Sequence, residues 1–336
     1  ITQSLLDNIK SDATRNSLNN YDTIDVIPRS YTIDKIEIRN PVGSFGTDIK
    51  ARLNLIVAKP TILINLKRVF TQQTQIKGLI TTAVAVADAV LTADERSLGC
   101  MLVDMGAETT TVSIYRNDAL VYLVTIPLGG RNLTRDITAL GIREENAEKI
   151  KRNLANPLKP AADPVTIDNI RSSDASNYIL ARTGEIIANI TAQVSNAGMS
   201  LNDIHSIVLV GGGAMLKGLD QEISDSVNIS SNSISVRIAS SIPSQLTTAT
   251  TIPNIVENIG VMALLIAGSK QIGYDTCVVK RVYAPAPPVQ EADLQIVTER
   301  PKEPTNQKKP SLIQRIRDRV VRALDESDNE NDNYSS

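Results

Sequence analysis

The chain has 336 residues, 42% hydrophobic and 21% charged, with a formal net charge of -2, the make-up of a folded protein with core enough for two or more domain-sized units. The near-balanced charge argues against generic nucleic-acid binding, and two cysteines, Cys100 and Cys277, are too few for a disulfide framework and fit a reducing compartment. No stretch approaches the roughly 20 apolar residues of a spanning helix, no signal peptide is seen, and no metal-ligand spacing occurs.

Residues 2 to 12 read as a helix, and "TIDVIPRSYTID" and "DIKARLNLIVA" as alternating strands around the turn-rich "RNPVGSFG". "PTILINLKRVFTQQT" begins with Pro60, which suits a first helical turn, so the opening of about 75 residues is a small α+β module. "ITTAVAVADAVLT" is almost all small and apolar, which predicts a helix buried on most sides. A strand pair over 100–115 and 119–127 follows, then helices in "LTRDITALGI", "REENAEKIKRNL" and the long "ASNYILARTGEIIANITAQVSNAGM", closed by Gly198. "SIVLVGGGAMLKGLDQEISDSV" reads as strand, glycine turn and helix. His205 precedes that strand with no nucleophile or acid constellation beside it, so its expected role is structural.

Three stretches have the character of ligand-holding turns. In "CMLVDMGAETTTVSIY", Asp104 ends an apolar strand and Gly106 frees the turn to aim N–H groups at an anion; a hairpin with a polar tip is the plain alternative. Gly129 and Gly130 join a strand to a helix in "IPLGGRNLTRDI". Gly211, Gly212 and Gly213 let the backbone approach a ligand at a helix start, without the residues of a Walker A loop or a GxGxxG fingerprint. Glu148 and Lys151 lie three apart on one helical face, able to reach a ribose and a base or simply each other.

In their order these pieces resemble the actin-like ATPase superfamily: LVDMGAETTT as the second phosphate loop, "IPLGG…TRDI" as the first connecting helix, "LVGGGAMLKGL" as the adenosine motif and "NIVENIGVMALLI" as the second connecting segment. "VIPRSYTID" with "IRNPVGSFG" is similar to the inserted 1C subdomain of the FtsA family of bacterial cell-division proteins. The resemblance implies an α/β, actin-like fold of ribonuclease H-like halves: a 1C subdomain over 1–75, remnants of subdomain 1A at 76–98 and 252–272, subdomain 2A at 99–138 and 204–251, and subdomain 2B at 139–203. It implies ATP with Mg²⁺ as cofactor, with Asp104, Gly106, Ala107, Thr109 and Thr110 around the phosphates, Glu148 and Lys151 at ribose and base, and Gly211, Gly212, Gly213 and Met215 against the adenosine. It also implies self-association into protofilaments and an FtsZ tail peptide received on the long helix near Arg182 and Glu185; an Arg182–Glu185 pair is the plain alternative there.

The chain departs from the family pattern. Ala107 and Glu108 stand where glycines are usual, so Glu108 must point away from phosphates or take part in metal or water binding. Thr111 stands where an acid is usual, which implies at most slow hydrolysis and no catalytic residue. The family's first phosphate loop would precede Ile1, so the expected chain is one lacking the N-terminal subdomain.

Residues 273–310 are proline-rich and polar and read as a disordered tether. In 311–325, "SLIQRIRDRVVRAL" and its flank form an amphipathic helix: Leu312, Ile313, Ile316, Val320 and Leu324 share one arc with Val321 at its edge. Lys308, Lys309, Arg315, Arg317, Arg319 and Arg322 against Asp318 give +5, which suits anionic lipid; the helix resembles the membrane-targeting helix of the FtsA family, which implies the inner face of the cytoplasmic membrane at a division site. A partner-docking or coiled-coil helix is the competing reading. Asp325, Glu326, Asp328, Glu330 and Asp332 then add -5 in the acidic tail over 326–336. The expected role is an adaptor tethering FtsZ filaments to the membrane, and the alternative an actin-like ATPase of another kind: a pilus-assembly relative, a chaperone or a kinase.

Overall fold

The computed structural model describes residues 1–15, 20–69, 76, 78–154, 157, 158, 166, 167, 169–228, 233–242 and 256–272. The expected tether, the amphipathic helix with all its membrane-facing residues, the acidic tail and Cys277 lie outside the described residues. The chain divides into a body, Ile1–Val279, and a second unit, Lys280–Ser336.

The body opens with a module of helix α1 (Gln3–Arg15), strands β1 (Asp22–Ile33), β2 (Ile36–Ile38) and β3 (Ile49–Ala58), and helix α2 (Pro60–Val69). The sheet runs β2-β1-β3, antiparallel throughout. Asp34 and Lys35 carry φ of 47° and 76° between the paired Ile33 and Ile36, the left-handed turn that suits the twist of a two-residue hairpin. The Asp34 carboxylate then accepts from the Thr47 and Asp48 N–H groups, pinning the next loop to the hairpin. Pro28, lacking a donor, sits where the β1–β3 register slips. Leu6 of α1 and Tyr31 and Ile33 of β1 are buried. The module joins the rest through Asn54, whose amide donates to the Leu120 carbonyl at 2.7 Å, and through an Arg39–Asp118 ion pair.

Helices α3 (Thr82–Val90) and α4 (Ala93–Leu98) lead into the main sheet; Thr92 and Glu95 form a capping box at the start of α4. Strands β4 (Cys100–Met105), β5 (Thr110–Arg116) and β6 (Ala119–Ile126) form an antiparallel meander. After it come α5 (Gly130–Ile137), α6 (Glu144–Asn153), the short pair β7 (Thr166–Ile167) and β8 (Ile170–Arg171), and α7 (Ser172–Asn196). Then β9 (Ser206–Val210), α8 (Leu219–Val227), β10 (Ser235–Ile238) and α9 (Ile259–Ile272) complete the body. The five-stranded order is β10-β9-β4-β5-β6, with β9 parallel to both β4 and β10. β9, buried at every residue, is the continuous apolar run that a parallel strand covered on both faces requires.

Each face of this sheet is covered. Met101, Val103, Met105, Val112, Ile114, Ile207 and Leu209 pack against Leu133, Ile137, Ile150, Ile179, Ile186 and Ile223 from α5, α6, α7 and α8. Cys100, Leu102, Tyr115, Val208 and Val210 pack against Ala85, Val86, Ile259 and Met262 from α3 and α9. The helix that lies against α9 is therefore α3. The expectation that "IPLGG…TRDI" is a connecting helix is corrected: its α5 covers the opposite face because Leu133 and Ile137 bury into the other core.

Candidate functional site

Because β4 and β9 run parallel and in register, with Asp104 beside Val210, the turns after the two strands open at the same edge of the sheet. Gly211 has a φ of +85°, and a Cβ there would fall 2.6 Å from Asp104 Oδ1 and 2.6 Å from the Met105 carbonyl oxygen. At Gly213 a Cβ would meet Met105 Cγ at 2.5 Å. These two positions take glycine because the loops touch. Gly212 is different: it is exposed, and the nearest atom to a Cβ there, Glu257 Cγ, is 3.7 Å away.

The third glycine turn closes on the same place. A Cβ at Gly129 would come within 2.5 Å of the Ala107 carbonyl oxygen. The Gly130 N–H donates to the Gly106 carbonyl at 2.9 Å and the Arg131 N–H to the Ala107 carbonyl at 2.7 Å. With its carbonyls bound by the start of α5, the turn leaves the N–H groups of Ala107, Glu108 and Thr109 without a hydrogen bond among the described residues. Three such N–H groups beside a glycine loop are donors that an anion can use. Asp104 lies against the Gly211 turn; burial alone pushes its carboxyl above the ordinary carboxylate range, and no described residue hydrogen-bonds it.

The remaining expected residues divide. Gly106, Ala107, Thr109, Gly211, Gly212 and Gly213 meet at this edge, and Met215 on the loop after β9 is 49% exposed. Thr110 does not join them: it is fully buried, and its hydroxyl donates to the Leu128 carbonyl at 2.7 Å, because the first position of β5 points into the core. Glu148 and Lys151 do meet each other, at 2.6 Å, and both are further engaged by protein groups. Lys151 Nζ also donates to the Gly130 carbonyl at 2.9 Å and to Thr134 Oγ1 at 2.8 Å, while Glu148 accepts from Arg152 and Thr134. Burial works against the Glu148 charge, but hydrogen bonds from Arg152, Lys151 and Thr134 outweigh it and hold the carboxyl down at about 2. As drawn by these bonds, the pair staples α6 to the loop that seats the phosphate-like turn.

Glu108 turns to two arginines that sequence reading did not single out: Arg131 at 2.8 Å and Arg135 at 3.3 Å. The signal was available in "GGRNLTRDI", where the two lie four apart on one helical face. Arg182 is not the exposed cation expected. Its guanidinium grips Asp136 of α5 with two bonds, 2.6 and 3.0 Å, and also contacts Glu185, so the plain alternative was itself incomplete. His205 is exposed, and its backbone N–H extends the ladder to the Gly99 carbonyl at 2.8 Å.

A covered mixed sheet with a carboxylate and three glycine turns at one edge is the arrangement of an actin-like protein. In agreement, the structure overlays the type IV pilus biogenesis complex PilM-PilN with a TM-score of 0.53 over 79% of this chain and 72% of that one, at 14% identity, which speaks to fold alone. The family model of "Cell division protein FtsA" matches residues 101–260, and that of the "SHS2 domain inserted in FTSA" matches residues 1–57. The chain belongs to the FtsA family of cell-division proteins. Among curated relatives, it is 32% identical to the cell division protein FtsA of Bacillus subtilis over 58% of this chain and 48% of that protein. It is 31% identical to that of Porphyromonas gingivalis over 58% and 43%, and 28% identical to that of Streptococcus pneumoniae over 73% and 55%. The chain thus spans about half the length of the curated relatives it matches.

Proposed function

We propose that this chain is the ATP-binding, partner-bearing part of a cell-division adaptor that self-associates and tethers FtsZ filaments to the inner face of the cytoplasmic membrane. The observation that carries the reading is the convergence of Asp104 with the turns at Gly106, Gly129 and Gly211, within the span that matches the FtsA family model. The residues fit a nucleotide: an exposed glycine at position 212, N–H groups at Ala107, Glu108 and Thr109 suited to phosphate oxygens, and the half-buried carboxylate of Asp104 suited to a cation. ATP with Mg²⁺, when bound, supplies charge that orders the loops around it; this chain's own groups hold and orient it. Thr111, paired to Thr125 across the strands at 3.1 Å, offers no base, so the main role is non-enzymatic.

The test is calorimetric titration of ATP with Mg²⁺ into the protein at the full length of its relatives. Wild type should bind. Gly212→Asp, which adds charge at an open position without a steric conflict, should abolish binding while leaving the melting temperature within about 2 °C. Equal affinity in the two proteins would make the loops purely structural. A turnover well above about 1 s⁻¹ would instead favour an ATP-hydrolysing enzyme.

A further inference from the structure

Glu108 is a carboxylate in a turn whose N–H groups have no partner among the described residues, and a lone carboxylate there would repel any anion. It is not alone. Arg131 NH1 lies 2.8 Å from Glu108 Oε1, and Arg135 NH2 lies 3.3 Å from the same oxygen. Arg131 is fixed at its root, because its own backbone N–H donates to the Ala107 carbonyl at 2.7 Å. Its Nε is anchored on Glu144 at 2.6 Å. Of its five N–H donors, two are engaged in these ion pairs, and the planar fork retains others. Arg131 and Glu108 are about half exposed, 47% and 49%, so water competes for their pair and its strength is small.

We infer that Glu108 is an internal substitute for phosphate, holding Arg131 and Arg135 at the turn until a nucleotide's polyphosphate displaces its carboxylate and takes both guanidinium groups. The inference rests on the ATP reading above and names two further ligand residues for that site. A polyphosphate brings several negative charges where Glu108 brings one, and arginine forks match phosphate oxygens in pairs. The Glu144 anchor stays in place during the exchange, so Arg131 needs only to swing its free edge. Glu108 thereby offsets the two cations when no anion is present and weakens binding when one arrives.

Titrations of full-length wild type, Glu108→Gln and Arg131→Gln with ATP and with adenosine, both in Mg²⁺, decide the matter. Glu108→Gln should tighten ATP by about three- to tenfold, and Arg131→Gln should weaken it by about tenfold with a shallower salt dependence. Adenosine, which has no phosphate, should move less than about twofold in either variant. An ATP affinity that is unchanged or weaker in Glu108→Gln overturns the inference alone, as does a parallel loss of adenosine and ATP in Arg131→Gln, which would mark a structural role. If wild type binds neither compound, the ATP reading itself fails and this inference falls with it.

Discussion

Asp104 is the residue on which structure and function pull in opposite directions. Burial raises its carboxyl, so its folded value lies above its unfolded one. The linked stability is present below the unfolded value and is lost as pH rises through the folded one, which leaves the ionised group a cost at neutral pH. Asp104→Asn should therefore keep or raise the melting temperature at pH 7, by a few degrees for about 1 kcal/mol, and flatten its rise toward acid. The same substitution should erase the thermal shift given by ATP with Mg²⁺. A fall in stability without ligand would show that the carboxylate holds the fold together. Arg182 is the opposite case. Arg182→Glu would set a new acid against Asp136 and Glu185, so a loss of about 2 kcal/mol in urea denaturation is expected, an effect that must be subtracted before any change in peptide binding is assigned to the surface. An unchanged midpoint would mean the grip on Asp136 contributes nothing. The difference between the two residues also marks what sequence could convey. Asp104 and its glycines declare themselves locally, by strand end and turn. The partners of Arg182 and Lys151 lie 46 and 21 positions away and become neighbours only when α5 docks, and that of Thr110, 18 positions away, only when β5 pairs with β6.

At the level of elements, periodicity in the sequence located the strands and most helices well. It anticipated α2 starting at Pro60, the meander of β4, β5 and β6, and α7 ending before Gly198, whose φ of 71° closes the helix. It did not convey which face of the sheet each helix covers, since β4 and β5 bury apolar residues on both faces and either face can receive a helix's apolar side. That ambiguity produced the misplaced connecting helix. The junction between α5 and α6 is set by charge. Glu148 is held down at about 2 from an ordinary 4.5 by Arg152, Lys151 and Thr134, so its contribution is present above the unfolded value and lost as pH falls toward 2. Glu148→Gln should cost about 1–2 kcal/mol at pH 7, after discounting for its partial exposure. In urea titrations at pH 7, 5 and 3 the gap to wild type should narrow with acid. A gap independent of pH would assign the loss to packing.

For the whole molecule, the two family models cover the module and the sheet-bearing body, together about two thirds of the chain. The proposed tethering depends on residues beyond them, from Lys308 to Leu324. There an apolar arc is flanked by a charge of +5. Each basic residue near an anionic leaflet contributes about 1 kcal/mol, and fully burying Ile316 or Val320 about 1.5 kcal/mol or more. Either contribution alone would be reversible at ordinary protein concentrations, and the proposed anchoring rests on the two together. Replacing Ile316 and Val320 with Glu should abolish vesicle binding. Changing Arg315, Arg317, Arg319 and Arg322 to Gln should matter on anionic vesicles and little on neutral ones, an asymmetry that a coiled coil or a protein-docking helix would lack.

Whether this protein carries FtsZ filaments to a membrane, as proposed, is read out by flotation of FtsZ with anionic vesicles in its presence. FtsZ should float with the vesicles when the protein is intact and remain at the bottom when Ile316 and Val320 are replaced with Glu, with raised salt reproducing part of that loss. Flotation of FtsZ that is equal with both proteins, or an intact protein that floats while FtsZ stays behind, would mean that the helix does not link FtsZ to the membrane.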